Sequence, residues 1–437
     1  MEFSVEIIKE QEFVPLADRS SQGMLHFAAY FLKNPETRLN KKNFVTLVKE
    51  SIELEDFLDD HGARNNKNWL FYGEIVASMR GFAGIAYMIN HILSRVKFYN
   101  LPENATGSFI RDAEKRLEFL NASILALCKT LADEAGRLGL TMPVADSTAD
   151  TDAADRIVAK ILPSNRGHED VHDIHEYIFR ISSKLVDAVK ESQPVCIDKK
   201  LAKKNLNNTI IPGKINEETL RHLEMHVHNA QSMYDTYIQK TPLESETPTL
   251  KTLRGSISVS LHLLNIAREL THFYERHESS IRHEVSHKKI ALLIKHTDVL
   301  DTIVNFALYY YTKFISRAAQ LAQDILSQYS VTLTATVPVP EGLGFHLRPS
   351  TLVAKIANHY AGNVTMHLDE KTFDASSVID IMWAGGIIKK EGIQEVMFSG
   401  DKNAITDIIA LAQANYGEDT LGNSTELPDT LHYLRQS

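Results

Sequence analysis

Cysteine is scarce: Cys128 and Cys196 are the only two in 437 residues, too few and too far apart for a disulfide framework or a four-thiolate metal site. A reducing compartment is therefore expected. Glycine and proline, at 20 and 13 residues, are not in excess, which excludes collagen-like and low-complexity chains. Positive charge is not in excess either. The net charge of −9 leaves no broad footprint for nucleic acid or anionic lipid, although Lys199, Lys200, Lys203 and Lys204 form a local basic patch. No stretch reaches the roughly 18 uninterrupted apolar residues of a membrane span. The opening MEFSVEIIKEQEF carries acids where a signal peptide would carry positive charge and an apolar run. The expectation is a cytoplasmic protein with no membrane insertion and no nucleic-acid partner.

Charged residues make up 24% and apolar residues 43% of the chain, as in average globular proteins, and its length calls for two or three domains. From about Gly23 to Gln328 apolar residues recur at three- and four-residue spacing, the mark of amphipathic helices. Phe44, Leu47, Val48, Leu54, Phe57 and Leu58 form one such stripe. Phe71 to Tyr99 is less polar, and Gly81 and Gly84 within it predict close helix contacts. A Ser-, Thr-, Asp- and Ala-rich stretch from Leu138 to Ala153 reads as a linker. Further helices are expected over Val171 to Lys190, Asn216 to Gln239, Leu250 to Arg276 and His287 to Tyr329. Asn40 to Leu58 aligns without gaps on Asn216 to Tyr234, with several apolar positions coinciding, so the helical region is either an internal duplication or two unrelated bundles.

After Ser330 the period changes. Val331, Leu333, Ala335 and Val337 alternate with threonines, a strand pattern ending in Pro338 and Pro340. The remaining expectations are a helix over Pro349 to Tyr360, strands at Asn363 to Leu368 and Thr372 to Phe373, a helix over Ser377 to Ala384, a strand at Glu395 to Ser399 and a helix over Lys402 to Asn415. The order is βαββαβα, which makes an antiparallel sheet with helices on one face. The fold class is thus multidomain: a long all-α helical-bundle region followed by an α+β open-faced sandwich. The expected boundaries are 1–140 and 154–329 for two helical units, 331–419 for the α+β domain and 420–437 for a loose tail.

One segment carries chemistry. Gly344-Phe345-His346-Leu347-Arg348-Pro349-Ser350 lies between the first strand of this domain and its first helix. A helix starting near Pro349 leaves unpaired amides in its first turn, whose dipoles favour a phosphoryl group just upstream. Imidazole titrates near neutrality, so His346 can attack phosphorus as a neutral nucleophile and later leave. Arg348 can add charge-assisted bonds to the phosphoryl oxygens.

These residues resemble the active-site pattern Gly-x-His-x-Arg-Pro-[Ala/Ser] of the HPr phosphocarriers of the phosphotransferase system. STLVAKIANHY resembles that family's first helix, and DASSVIDIMWAGGIIKKEGIQEV its second helix and last strand. The resemblance covers roughly one fifth of the chain. It implies that His346 and Arg348 are the transfer pair, that Val378, Ile379 and Met382 form the patch that docks partners, and that Ser377 is a regulatory phosphorylation site. Read from the residues, Ser377 precedes an apolar helical run and is first a helix N-cap, a role that can coexist with phosphorylation. The implied partners are an Enzyme I-like phosphoryl donor and an unidentified downstream protein, and no cofactor is implied. Leu343, Phe345, Leu347 and Asp380 depart from the family pattern, and Asp380 adds negative charge beside the patch.

Other histidines invite metal readings. His283 and His287 fit H-E-x-x-H with Glu284, but Lys288 and Lys289 follow directly. His168, His172 and His175, and separately His222 and His226, have helical spacing. With 19 histidines in the chain such spacings arise readily, and a solvated polar face explains the first set. Three functions stay open: a phosphocarrier or phosphorylation-controlled adaptor, a helical metal-dependent enzyme with a regulatory HPr-like domain, and a non-catalytic interaction protein.

Overall fold

A computed structural model describes residues 7–99, 101, 103–144, 174–207, 210–278, 284–329, 332–360, 364–419 and 423–435. The chain is mostly helical with one small antiparallel sheet near its C-terminus. The helices are α1 (Glu10–Lys33), α2 (Lys41–Asp60), α3 (Leu70–Arg95), α4 (Glu103–Arg137), α5 (Ile174–Ser192), α6 (Glu217–Tyr237), α7 (Pro242–Glu246), α8 (Pro248–Glu278), α9 (Glu284–Leu293), α10 (His296–Asp301) and α11 (Tyr309–Tyr329). There follow β1 (Thr332–Pro338), α12 (Leu347–His359), β2 (Val364–Leu368), β3 (Lys371–Asp374), α13 (Val378–Glu391), β4 (Glu395–Asp401) and α14 (Lys402–Gln413). Two compact units result. One comprises Met1–Asp170, Ala188–Ser232 and Lys240–Ala318; the other comprises Val171–Asp187, Met233–Gln239 and Ala319–Ser437.

In the first unit helix begins at Glu10, well before the Gly23 expected from periodicity. Pro15 lies inside α1, where proline removes a helical hydrogen bond. Burial outweighs that loss: Phe13 stacks on Phe57 at 5.6 Å and meets Trp69 edge-on at 4.7 Å. The single helix expected over His287 to Tyr329 is broken at Leu293 and passes through a π-helical stretch, Thr302–Leu308. Asn305 in that stretch accepts from the Leu201 amide at 2.7 Å and donates to the Leu201 carbonyl at 2.8 Å and to Asp301 at 2.6 Å. Its residues are all buried, so the wider turn acts as a built-in anchor for the 197–206 segment.

The close helix contact expected at Gly81 and Gly84 is not there; an added Cβ would meet nothing within 4 Å at either position. It falls at Gly255 of α8, where a Cβ would lie 2.5 Å from Tyr99 Cβ.

In the second unit the strand order is β1-β4-β2-β3, all antiparallel. Phe398 of β4 pairs with Ala335 on one side and Met366 on the other. Pro338 ends β1 as its last pair, opposite Glu395, which an edge strand tolerates because its outer amide row needs no partner. Val337, Val364, Met366, Leu368, Val396 and Phe398 face a core completed by α12, α13 and α14.

Two expectations change here. Helix α13 does not stop at Ala384 but runs through Gly385 and Gly386 to Glu391, ending where Gly392 adopts φ +70°. Gly385 is a close-approach residue, since a Cβ there would lie 2.5 Å from the Phe345 carbonyl oxygen. The tail expected to be loose is anchored. Leu431 and Leu434 are buried in the core, and Tyr433 and Tyr360 both donate to Asp407, at 2.6 and 2.9 Å.

Candidate functional site

The loop from β1 to α12 is shaped by Gly342 and Gly344, both at positive φ (+83° and +67°), a conformation glycine adopts without Cβ strain. Between loop and helix Phe345 drops into the core. It meets Tyr416 edge-on at 5.2 Å and Phe398 at 6.4 Å, and Gly385 accommodates its carbonyl. This anchor fixes the next residue. His346 takes the N-cap position of α12 without using its side chain as a cap, so no bond to the helix's own first-turn amides occupies its imidazole.

The ring is 32% exposed, and its Nε2 lies 2.8 Å from Glu418 Oε2. A carboxylate can only accept, so Nε2 donates in this bond and Nδ1 is the ring nitrogen left outside it. The Glu418 side chain is only 2% exposed. Its other oxygen, Oε1, has no hydrogen-bond partner and lies 3.9 Å from Arg348 Nε. Arg348 also donates to Ser424 Oγ at 2.5 Å. Glu418 and Ser424 face each other across a short antiparallel bridge.

An unusual backbone aims this carboxylate. Asn415, Tyr416 and Gly417 all adopt positive φ (+43°, +55° and +73°), which costs about 1 kcal/mol or more at each of the two non-glycine positions. Buried Tyr416 offsets the strain by packing on Phe345 and donating to the Pro338 carbonyl at 2.9 Å. The run turns the chain back so that Glu418 reaches His346.

Ser377 caps α13: its hydroxyl accepts from the Asp380 amide at 3.2 Å. Ile379 and Met382 are exposed, whereas Val378 is partly buried against the core. Trp383, on the same face of α13, is 70% exposed, and Leu343 and Leu347 are exposed on the His346 loop. Motif reading missed three residues: Glu418 and Ser424, which meet His346 and Arg348, and Trp383, which is exposed on α13. No local pattern marks the first two, which lie beyond the last helix. Trp383 had a signal, because it stands four residues after Ile379 and so shares its helical face. His283, His168 and His172 lie outside the described residues, as do the side chains of His175 and His287.

Residues 333–413 match the PTS-HPr family, described as the PTS HPr component phosphorylation site. This part of the chain is an HPr-type domain. The region before it matches no family. No curated protein and no solved structure matches the chain. Among the described residues no helix is long and apolar enough to cross a membrane.

Proposed function

We propose that His346 of the HPr-type domain accepts a phosphoryl group on Nδ1 from an Enzyme I-like donor in the cytoplasm, and that the helical region acts on or responds to that event. The observation that carries this reading is the bond from His346 Nε2 to the buried Glu418 carboxylate. It holds the tautomer with a nucleophilic Nδ1 and stabilises the imidazolium formed as phosphorus is attacked, the logic by which a carboxylate orients a catalytic histidine. In the transfer step a bond forms between Nδ1 and phosphorus as the donor's bond to phosphorus breaks. Arg348 and the first amides of α12 balance charge on the three phosphoryl oxygens.

The exposed side chains Ile379, Met382 and Trp383, with Val378 beneath them, serve as the docking face for donor and recipient. A phosphoryl group beside Glu418 competes with that carboxylate for Arg348, so phosphorylation also weakens the hold of Arg348 on Ser424. The domain is then either a carrier, passing phosphate to a downstream protein, or a switch whose tail contacts change with its charge. Phosphorylation of Ser377 is a second level of control; it would place negative charge beside Asp380. The βαββαβα order as an HPr-type open-faced sandwich, and duplication in the helical region, belong to the same reading. The latter is supported by matching asparagine caps, Asn40 on the Asn43 amide at 3.0 Å and Asn216 on the Thr219 amide at 2.9 Å.

The test is incubation of the whole chain with Enzyme I and phosphoenolpyruvate, followed by phosphate mapping that preserves phosphohistidine. The expected result is acid-labile phosphate on His346, lost in His346→Ala. Absence of label while a standard HPr is labelled in parallel overturns the Enzyme I assignment.

A further inference from the structure

The helical unit holds a second histidine constellation. His222 and His226 stand one turn apart on α6, so their imidazoles share a face. Their Nε2 atoms lie 3.3 Å apart. That spacing has a chemical meaning: two nitrogens each about 2.05 Å from a tetrahedral ion are separated by about 3.3 Å. Glu191, in the last turn of α5, brings Oε2 to 3.5 Å from His226 Nδ1 and 3.8 Å from His222 Nδ1. One ligand atom from each of the three residues can be chosen so that all lie within 4.8 Å of one another.

We propose that His222, His226 and Glu191 hold a divalent transition-metal ion, with Zn2+ as the probe of choice and water completing the shell. Two imidazoles select zinc, nickel or copper over magnesium and calcium, which prefer all-oxygen shells. The carboxylate either joins the shell or accepts the Nδ1 protons and leaves both Nε2 lone pairs for the ion. All three side chains reach solvent, so the ion can enter without opening the fold. The consequence is a crosslink between the last turn of α5 and α6.

The test uses the full chain, stripped with chelator and titrated with Zn2+ against a chromophoric competitor. Wild type is expected to bind an equivalent of Zn2+ that His222→Ala/His226→Ala lacks. Glu191→Gln should weaken that equivalent roughly tenfold to hundredfold. Because the side chains are on the surface, circular dichroism of the variants should match wild type, and Zn2+ should raise the melting temperature of wild type but not of the double variant. If Zn2+ fails to compete with the chromophore, or if wild type and the double variant bind the same equivalents with the same affinity, the site is not there.

Discussion

Each unit buries a phenylalanine among other aromatic rings. In the helical unit Phe109 is enclosed by Phe306, Tyr310 and Phe314, at 5.7, 5.1 and 5.5 Å; in the HPr-type domain Phe345 is enclosed by Phe398, Tyr416 and the backbone at Gly385. The neighbours differ in what they leave free. Around Phe109 several polar groups are engaged structurally: Asp112 receives Lys200 and Tyr310, Arg116 pairs with Asp301, and Asn305 clasps Leu201. Phe345 instead sits one residue from a partly exposed imidazole whose Nε2 alone is bonded, to Glu418. Similar packing physics thus builds a scaffold in one unit and holds a partly exposed histidine in place in the other.

The largest expected effect lies in the helical unit. Burial, reinforced by His91 and Arg254, pulls His262 down to about 4. The unfolded chain, with an ordinary histidine near 6.5, binds more protons between those values, so stability is full above about pH 6.5 and falls toward pH 4 by about 3 kcal/mol. Trp69 is buried in this unit and Trp383 exposed in the other, so a Trp383→Phe background lets Trp69 fluorescence report helical unfolding alone. Denaturant titrations from pH 7 to 4 should show the loss, and His262→Gln should flatten it. An unchanged slope in the variant would mean the acid sensitivity belongs elsewhere.

Next in size is Glu418→Gln, which keeps the volume but removes the charge that orients His346. Its phosphorylation rate should fall about a hundredfold while the melting temperature holds. A rate within a factor of two of wild type would reduce Glu418 to packing and would erase the contrast between scaffold and histidine loop.

Adjacent glycines give a smaller, sharper comparison. Gly385→Ala places a Cβ against the Phe345 carbonyl and should cost about 2 kcal/mol, slowing phosphorylation as the loop shifts. Gly386→Ala meets open space and should gain about 0.5–1 kcal/mol. The same pairing in the helical unit sets Gly255→Ala, destabilising, against Gly84→Ala, stabilising by about 0.5–1 kcal/mol. Thermal melts of the four variants decide both; equal effects within either pair would contradict the packing described.

Legibility followed the range of the interactions. His346, Arg348 and the alternation after Ser330 could be read directly, because a motif on a strand-to-helix loop and a period of two are local properties. Helix ends were misread wherever a distant contact decides them. Pro15 is tolerated because Phe13 reaches Phe57 and Trp69, and α13 passes through Gly385 because Phe345 fills the space a side chain would take. The tail looked loose because its anchors, Asp407 for Tyr433 and the core around Leu431, lie elsewhere in the chain.

By itself the sequence determined a helical region, a change of period and a histidine poised at a helix start, since each depends on residues within a turn or two of one another. Only the tertiary structure decided which carboxylate orients that histidine and where His222 and His226 find a third group. Glu418 reaches His346 across 72 residues through a strained left-handed run that pays off only once Tyr416 is buried. Glu191 meets the histidine pair only after two helices have packed.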